Sequence, residues 1–189
     1  MHEGALDLVA GFDASGDASS AKSRELVLHL LAHTPAPFSR LQFAPGHITC
    51  TGLVLHPEGG AFLLIHHQRL DRWLLPGGHV EPEDVELWHA ARREVEEETT
   101  VRVATLGAAP LVGIDVHGIP PHQGKAEPFN LHHDLIFAFR ATSSRVEPTK
   151  EVRSALWHED KDAARSPLHL PESIRLASLL ARHMLRFPS

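Results

Sequence analysis

Glu94, Glu97 and Glu98 stand three and four residues apart, the spacing that stacks side chains on one helical face. At 100° per residue they cover an arc of roughly 100°, largely opposite the stripe formed by Val85, Trp88, Ala91, Val95 and Thr99. The expectation is three exposed carboxylates on one face and a buried face behind them. This is unfavourable in isolation, because the last turn of a helix carries partial negative charge and like charges at i,i+4 repel, each conflict costing a few tenths to about 1 kcal/mol. A hard divalent cation relieves both conflicts, and magnesium suits sites that also coordinate phosphate. The acidic excess is local: Glu81 to Glu98 holds eight carboxylates and two arginines. Arg93 can pair with Glu97 at i,i+4 or brace the turn at Gly77-Gly78. For Glu96 alone a solvated charged face suffices.

The elements that must position these groups follow from periodicity. A helix is predicted over Asp84–Thr99, which lacks Gly and Pro, with Glu81-Pro82-Glu83-Asp84 as its capped start. Residues 1–18 read as a loose leader, and Leu26, Val27, Leu30 and Leu31 give a helix over Ser19–His33 that Thr34-Pro35 ends. Ile48–His56 and Ala61–His66 flank Pro57-Glu58-Gly59-Gly60 and predict a hairpin; Arg72–Leu75 predicts a third strand stopped by Pro76-Gly77-Gly78. Val101–Leu106, Leu111–His117, Leu131–Arg140 and Glu151–His158 have strand composition. Gly118–Phe129, with three prolines and two glycines, reads as a long and therefore functional loop. Ile174, Leu176, Leu179, Leu180 and Leu185 predict a closing amphipathic helix over Pro171–Phe187.

Composition limits what this scaffold does. With 189 residues and 42% apolar content it can bury one substantial core, divided here into an N-terminal leader and helix over 1–45 and a main domain over 46–189. A net charge of −6 provides no field for a nucleic-acid polymer. One cysteine, Cys50, in an apolar run excludes a disulfide framework and fits a cytoplasmic protein. No apolar run approaches the ~18 residues of a membrane span, and no export signal is visible. Sixteen histidines, among them His66-His67 and His132-His133, are scattered without a zinc-binding spacing. They read as coding bias.

Gly78, Arg93, Glu94, Val95, Glu97, Glu98 and Val101 resemble the Nudix box, agreeing in type and order at seven positions over 24 residues. Asp84 stands where the box has its first Glu, one extra residue precedes Arg93, and Thr100 replaces the box glycine. A β-branched residue forced into a left-handed conformation there is strained by about 1–2 kcal/mol. The resemblance covers about Ile48 to Glu159 and implies an α/β (α+β) fold, a Nudix-type α/β/α sandwich with a mixed β-sheet, carrying an N-terminal helical extension. It further implies hydrolysis of a diphosphate linkage in a nucleoside diphosphate derivative, with Mg2+, or Mn2+ in its place. Carried over, Glu94, Glu97, Glu98 and the Gly77 carbonyl hold metal, Arg93 orients them, and Glu97 or, next, Glu94 is the catalytic base. Asp134 and Glu151 are outside candidates for the base, although a lone strand carboxylate such as Asp134 is ordinarily at the surface. Arg72, Gly78, His79 and Glu81 are the substrate-binding candidates, with a helix cap as the plainer role for Glu81. For Trp73 and Trp157, core packing is favoured over base stacking. The partner expected is a small diphosphate, with neither nucleic-acid polymer nor membrane, and the family resemblance suggests a homodimer. Three other readings stand beside it: a Nudix-fold binding module; an isopentenyl-diphosphate isomerase, which needs a cysteine nearer the site than Cys50; and a histidine-rich metal carrier, whose zinc or nickel binding would survive Glu97→Gln.

Overall fold

The computed structural model describes the chain except residues 105–106, 123, 125, 160–167, 169, 171 and 186–189. Eight strands form one mixed sheet: β1 (His47–Leu55), β2 (Ala61–His67), β3 (Arg72–Leu74), β4 (Gly77–His79), β5 (Val103–Ala104), β6 (Leu111–Ile119), β7 (Asn130–Ala141) and β8 (Val152–Glu159). β1 lies parallel to β7 along its length, from His47 opposite His132 to Leu55 opposite Arg140, and every other pairing is antiparallel. Four helices complete the fold: α1 (His2–Ala10), α2 (Ala18–His33), α3 (Leu87–Thr99) and α4 (Glu172–Met184).

Alternation along the central strands divides the interior into two layers. Ile48, Cys50 and Val54 of β1 and Leu135, Phe137 and Phe139 of β7 pack with α1, α2 and α3. Leu53, Leu55, Ile136 and Ala138 face the other way, toward Ile174, Ala177 and Ala181 of α4. The result is the α/β/α sandwich expected, with N-terminal helices added. Gly52 lets α3 approach, since a Cβ there would lie 2.3 Å from Val95 Cγ2.

Several local expectations are corrected. The leader is not loose: residues His2–Ala10 form α1, and Ala5 and Val9 are fully buried in the first core. The hairpin is present but short: β1 pairs antiparallel with β2 at Leu55 and Phe62, and the His56 N–H donates to the Ala61 carbonyl at 2.9 Å, while beyond it nonlocal pairing takes over, β1 with β7 and β4, β2 with β8. The Gly77-Gly78 stop is itself a strand, paired with Thr49–Thr51. α3 starts at Leu87, not Asp84, so Val85 is 71% exposed in the preceding turn and Leu87 takes its place in the core. Glu86, not Glu81, is the N-cap residue, its N–H donating to His89 Nδ1 at 3.3 Å. On α4 the small residues Ala177 and Ala181 are buried while Leu179 is exposed. Residues 105–106 of the Val101–Leu106 strand, 123 and 125 of the long loop, and the ends of Pro171–Phe187 (171 and 186–187) lie outside the described residues.

Candidate functional site

The last two turns of α3 pack against β4, where Gly78 faces the helix and Gly77 faces β1. A Cβ on Gly78 would lie 2.7 Å from the Glu94 carboxyl carbon, and one on Gly77 would lie 2.8 Å from Thr51 Cα. At Gly77 the obstacle is backbone, so a side chain there is excluded, whereas one at Gly78 would have to displace the Glu94 carboxylate. The Gly77 N–H donates to Glu98 Oε2 at 3.1 Å, pinning the helix to the strand.

Arg93 organises the acidic groups. Its Nη1 donates to Glu94 Oε1 at 2.8 Å and Glu97 Oε2 at 3.0 Å, its Nη2 to Asp84 Oδ2 at 2.9 Å and the His79 carbonyl at 2.8 Å. Both of the pairings open to Arg93, with Glu97 and with the glycine turn's strand, are made at once. Burial works against its charge, but hydrogen bonds to Asp84 and Glu94 outweigh it and raise the guanidinium's pKa. Asp84, 6% exposed, also accepts the Glu81 N–H at 2.9 Å, so it anchors Arg93 from across the turn.

The three glutamates do not share an exposed face. Glu97 is half exposed, Glu94 is mostly buried and Glu98 is 6% exposed, because β4 covers the side of α3 that solvent was expected to reach. Burial first, then repulsion from Glu94, pushes the Glu98 carboxyl up to about 8 against the pull of the Gly77 N–H. Burial also raises Glu94, opposed by Arg93. Glu151 adds to the repulsion on both. A donor set of carboxyl oxygens, too crowded and dry to ionise together, fits a hard divalent cation.

Beside this cluster opens a cavity of about 350 Å³. His79 and Glu151, both candidates from the sequence, line it, as do Arg40, Arg69, His47 and His132. Arg72 does not: it is exposed on β3, while Arg69, between β2 and β3, lines the cavity. Glu81 is partly buried in the turn. Asp134 is corrected from surface to interior; it is 7% exposed and accepts the hydroxyls of Thr49 (2.9 Å) and Thr51 (2.8 Å), while burial raises its pKa. Trp73 and Trp157 pack against the two cores, and Trp157 Nε1 donates to the Ser144 carbonyl. Cys50 is buried, its thiol pushed well up by burial. His47 and His132 come from strands far apart in the chain, so only their parallel register, invisible locally, brings them to the cavity.

A family model described as the NUDIX domain matches residues 46–180. The chain belongs to the NUDIX family of hydrolases. Solved structures of similar fold include a NUDIX-family hydrolase from Clostridium perfringens (18% identity, 73% of this chain and 97% of that one, TM-score 0.53) and a MutT protein from Methanosarcina mazei Go1 (20% identity, 75% and 96%, TM-score 0.51). An ADP-ribose pyrophosphatase from Streptococcus suis 89-1591 is similar at 17% identity over 71% and 91%, with a TM-score of 0.50. No curated protein sequence matches. Among the described residues no helix is long and apolar enough to cross a membrane.

Proposed function

We propose that this NUDIX protein hydrolyses a diphosphate linkage in a nucleoside diphosphate derivative, with magnesium or manganese held by Glu94, Glu97, Glu98 and the Gly77 carbonyl. The observation that carries it is the convergence of Glu94, Glu98 and Glu151 beside the cavity, where the Glu98 carboxyl is pushed up to about 8. When bound, the cation neutralises the diphosphate and lowers the pKa of the attacking water. Arg93 holds Glu94 and Glu97 at fixed distances from β4 through its bonds to Asp84 and the His79 carbonyl. Arg40 and Arg69 on the cavity wall supply positive charge for the phosphates.

Glu151 is the candidate base that best fits this geometry. It lines the cavity and is exposed, near enough to Glu94 and Glu98 to perturb both, whereas Glu97 is tied to Arg93 and Asp134 to two threonines. Its carboxylate takes the proton of the attacking water. The expected cytoplasmic location is supported by the unpaired, buried Cys50, and the homodimer by family resemblance.

The test is product release from nucleoside triphosphates, nucleotide sugars, dinucleoside polyphosphates and ADP-ribose, with and without magnesium, by wild type, Glu97→Gln and Glu151→Gln. Magnesium-dependent cleavage of at least one compound, lowered about 100-fold or more in each variant, is the expected result. No cleavage of any compound, or cleavage indifferent to magnesium, overturns the proposal.

A further inference from the structure

The cavity wall carries a second group of potential ligands that the glutamate site does not use. β1 lies between β4 and β7, and the registers place His47 directly opposite His132, with Thr49 opposite His79. Residues 47 and 49 share a face of β1, so the imidazoles of His47, His79 and His132 emerge together on one face of three adjacent strands. One ring nitrogen from each lies within 4.8 Å of the others. Gly78, between them in sequence, faces Glu94 instead, so β4 presents its glycine to the carboxylates and its histidine to this cluster.

The chemistry of His47 favours a metal over a hydrogen-bonded cluster. Its Nδ1 lies 3.1 Å from the Gln42 carbonyl, which only accepts, so Nδ1 carries the proton and Nε2 presents a bare lone pair. That Nε2 is buried without a hydrogen-bond partner among the described residues, in a side chain 1% exposed. An unsatisfied buried acceptor costs about 1–3 kcal/mol. A ligating histidine characteristically donates its other ring N–H to a backbone carbonyl, as His47 does, and that bond fixes the tautomer. The ligand atoms here are nitrogens alone, which suit zinc and neighbouring transition ions, whereas the carboxylates of α3 suit magnesium and manganese.

We propose that His47, His79 and His132 form a second metal site, for a borderline divalent transition ion such as zinc, opening on the cavity and distinct from the α3 glutamates, which lie on the other face of β4. Three protein ligands leave a position for water or for an oxygen of an anionic ligand entering the cavity. The ion ties β4 to β1 and β7 through His79, whose carbonyl also receives Arg93.

The experiment is titration of chelator-stripped protein with Zn2+ by calorimetry and with Co2+ by visible absorption, for wild type, His132→Gln, His79→Asn, His47→Gln and Glu98→Gln. Thermal melts establish folding; should His47→Gln unfold, the two cavity-wall variants His132→Gln and His79→Asn carry the test. One high-affinity equivalent per chain, with the absorption of four-coordinate cobalt, is expected in wild type and Glu98→Gln, weakened about 100-fold or more in the folded histidine variants. Absence of tight uptake by wild type, uptake indifferent to His132→Gln and His79→Asn, or uptake lost in Glu98→Gln would overturn the site.

Discussion

Glu98 is a carboxylic acid placed where its charge is unwelcome until something balances it. Its folded-state pKa, raised from 4.5 to about 8, means that the folded protein free of divalent ions holds a proton the unfolded chain releases. That stabilisation is complete below 4.5 and is lost as pH rises through about 8. Glu98→Gln mimics the protonated form, and its amide oxygen can still accept the Gly77 N–H. Without divalent ions the variant is therefore expected to melt with wild type at low pH and increasingly above it as pH rises, while added magnesium raises the wild-type melting temperature more than the variant's. A pH series of thermal melts checks this, and a constant difference between the two proteins would contradict it. Arg93 gives a prediction of opposite sign. Removing it with Arg93→Met strands the buried Asp84 carboxylate and releases Glu94 and Glu97, so a loss of about 3 kcal/mol is expected by denaturant titration, along with activity. The type, order and spacing of these residues were readable in the sequence, including Asp84 in place of the usual Glu. Glu98's burial was not, because helical periodicity says which residues share a face and nothing of what covers that face.

At the scale of elements, the helix terminus holds the clearest strain. Thr100 caps α3 at φ 58°, ψ 0°, the left-handed conformation that its place in the box pattern foretells, and it is exposed with no packing to lose. Thr100→Gly is expected to stabilise by about 1 kcal/mol, net of the added freedom of the unfolded chain, which corresponds to a rise of about 2–4 °C in melting temperature. A fall on calorimetry would show that the threonine is held there by something other than tolerance. Elements with a strong local signal, α3 and β7 above all, were readable; those defined by distant partners were not. Ile48–His56 and Ala61–His66 have hairpin composition around a tight turn, yet β1 finds twelve-residue β7 as a longer partner and β2 finds β8. α1 did carry a signal, the i,i+4 pair Ala5 and Val9, but Gly4, Gly11 and the polar residues that follow mask it.

For the whole molecule, α1 and α2 belong to the same buried cluster as the sheet and α3, which makes the N-terminal segment a structural part of the fold. Arg24 Nε donates to the Val9 carbonyl at 3.0 Å and a His2 ring nitrogen lies 2.8 Å from the Leu31 carbonyl, fixing α1 on α2. Deleting residues 1–16 exposes the face that Ala5 and Val9 cover, and a loss of about 2–4 kcal/mol is expected in chemical denaturation, with kcat of the folded fraction unchanged, since α1 contributes no residue to the cavity lining. The cavity is likewise a product of the whole chain, joining β1, β4, β7, the segment before β8 and the loop after α2. That is why single residues on its rim, Glu151 and His79, could be nominated from sequence while their neighbours Arg40, Arg69 and His47 could not. On the proposed function, the carboxylates of α3 facing β4 hold the catalytic cation. Titration of Mn2+ followed by electron paramagnetic resonance, on wild type, Glu98→Gln and His132→Gln, tests it most directly. Saturable binding in wild type and His132→Gln that weakens about 10-fold or more in Glu98→Gln is the predicted result. Equal binding by wild type and Glu98→Gln would contradict it.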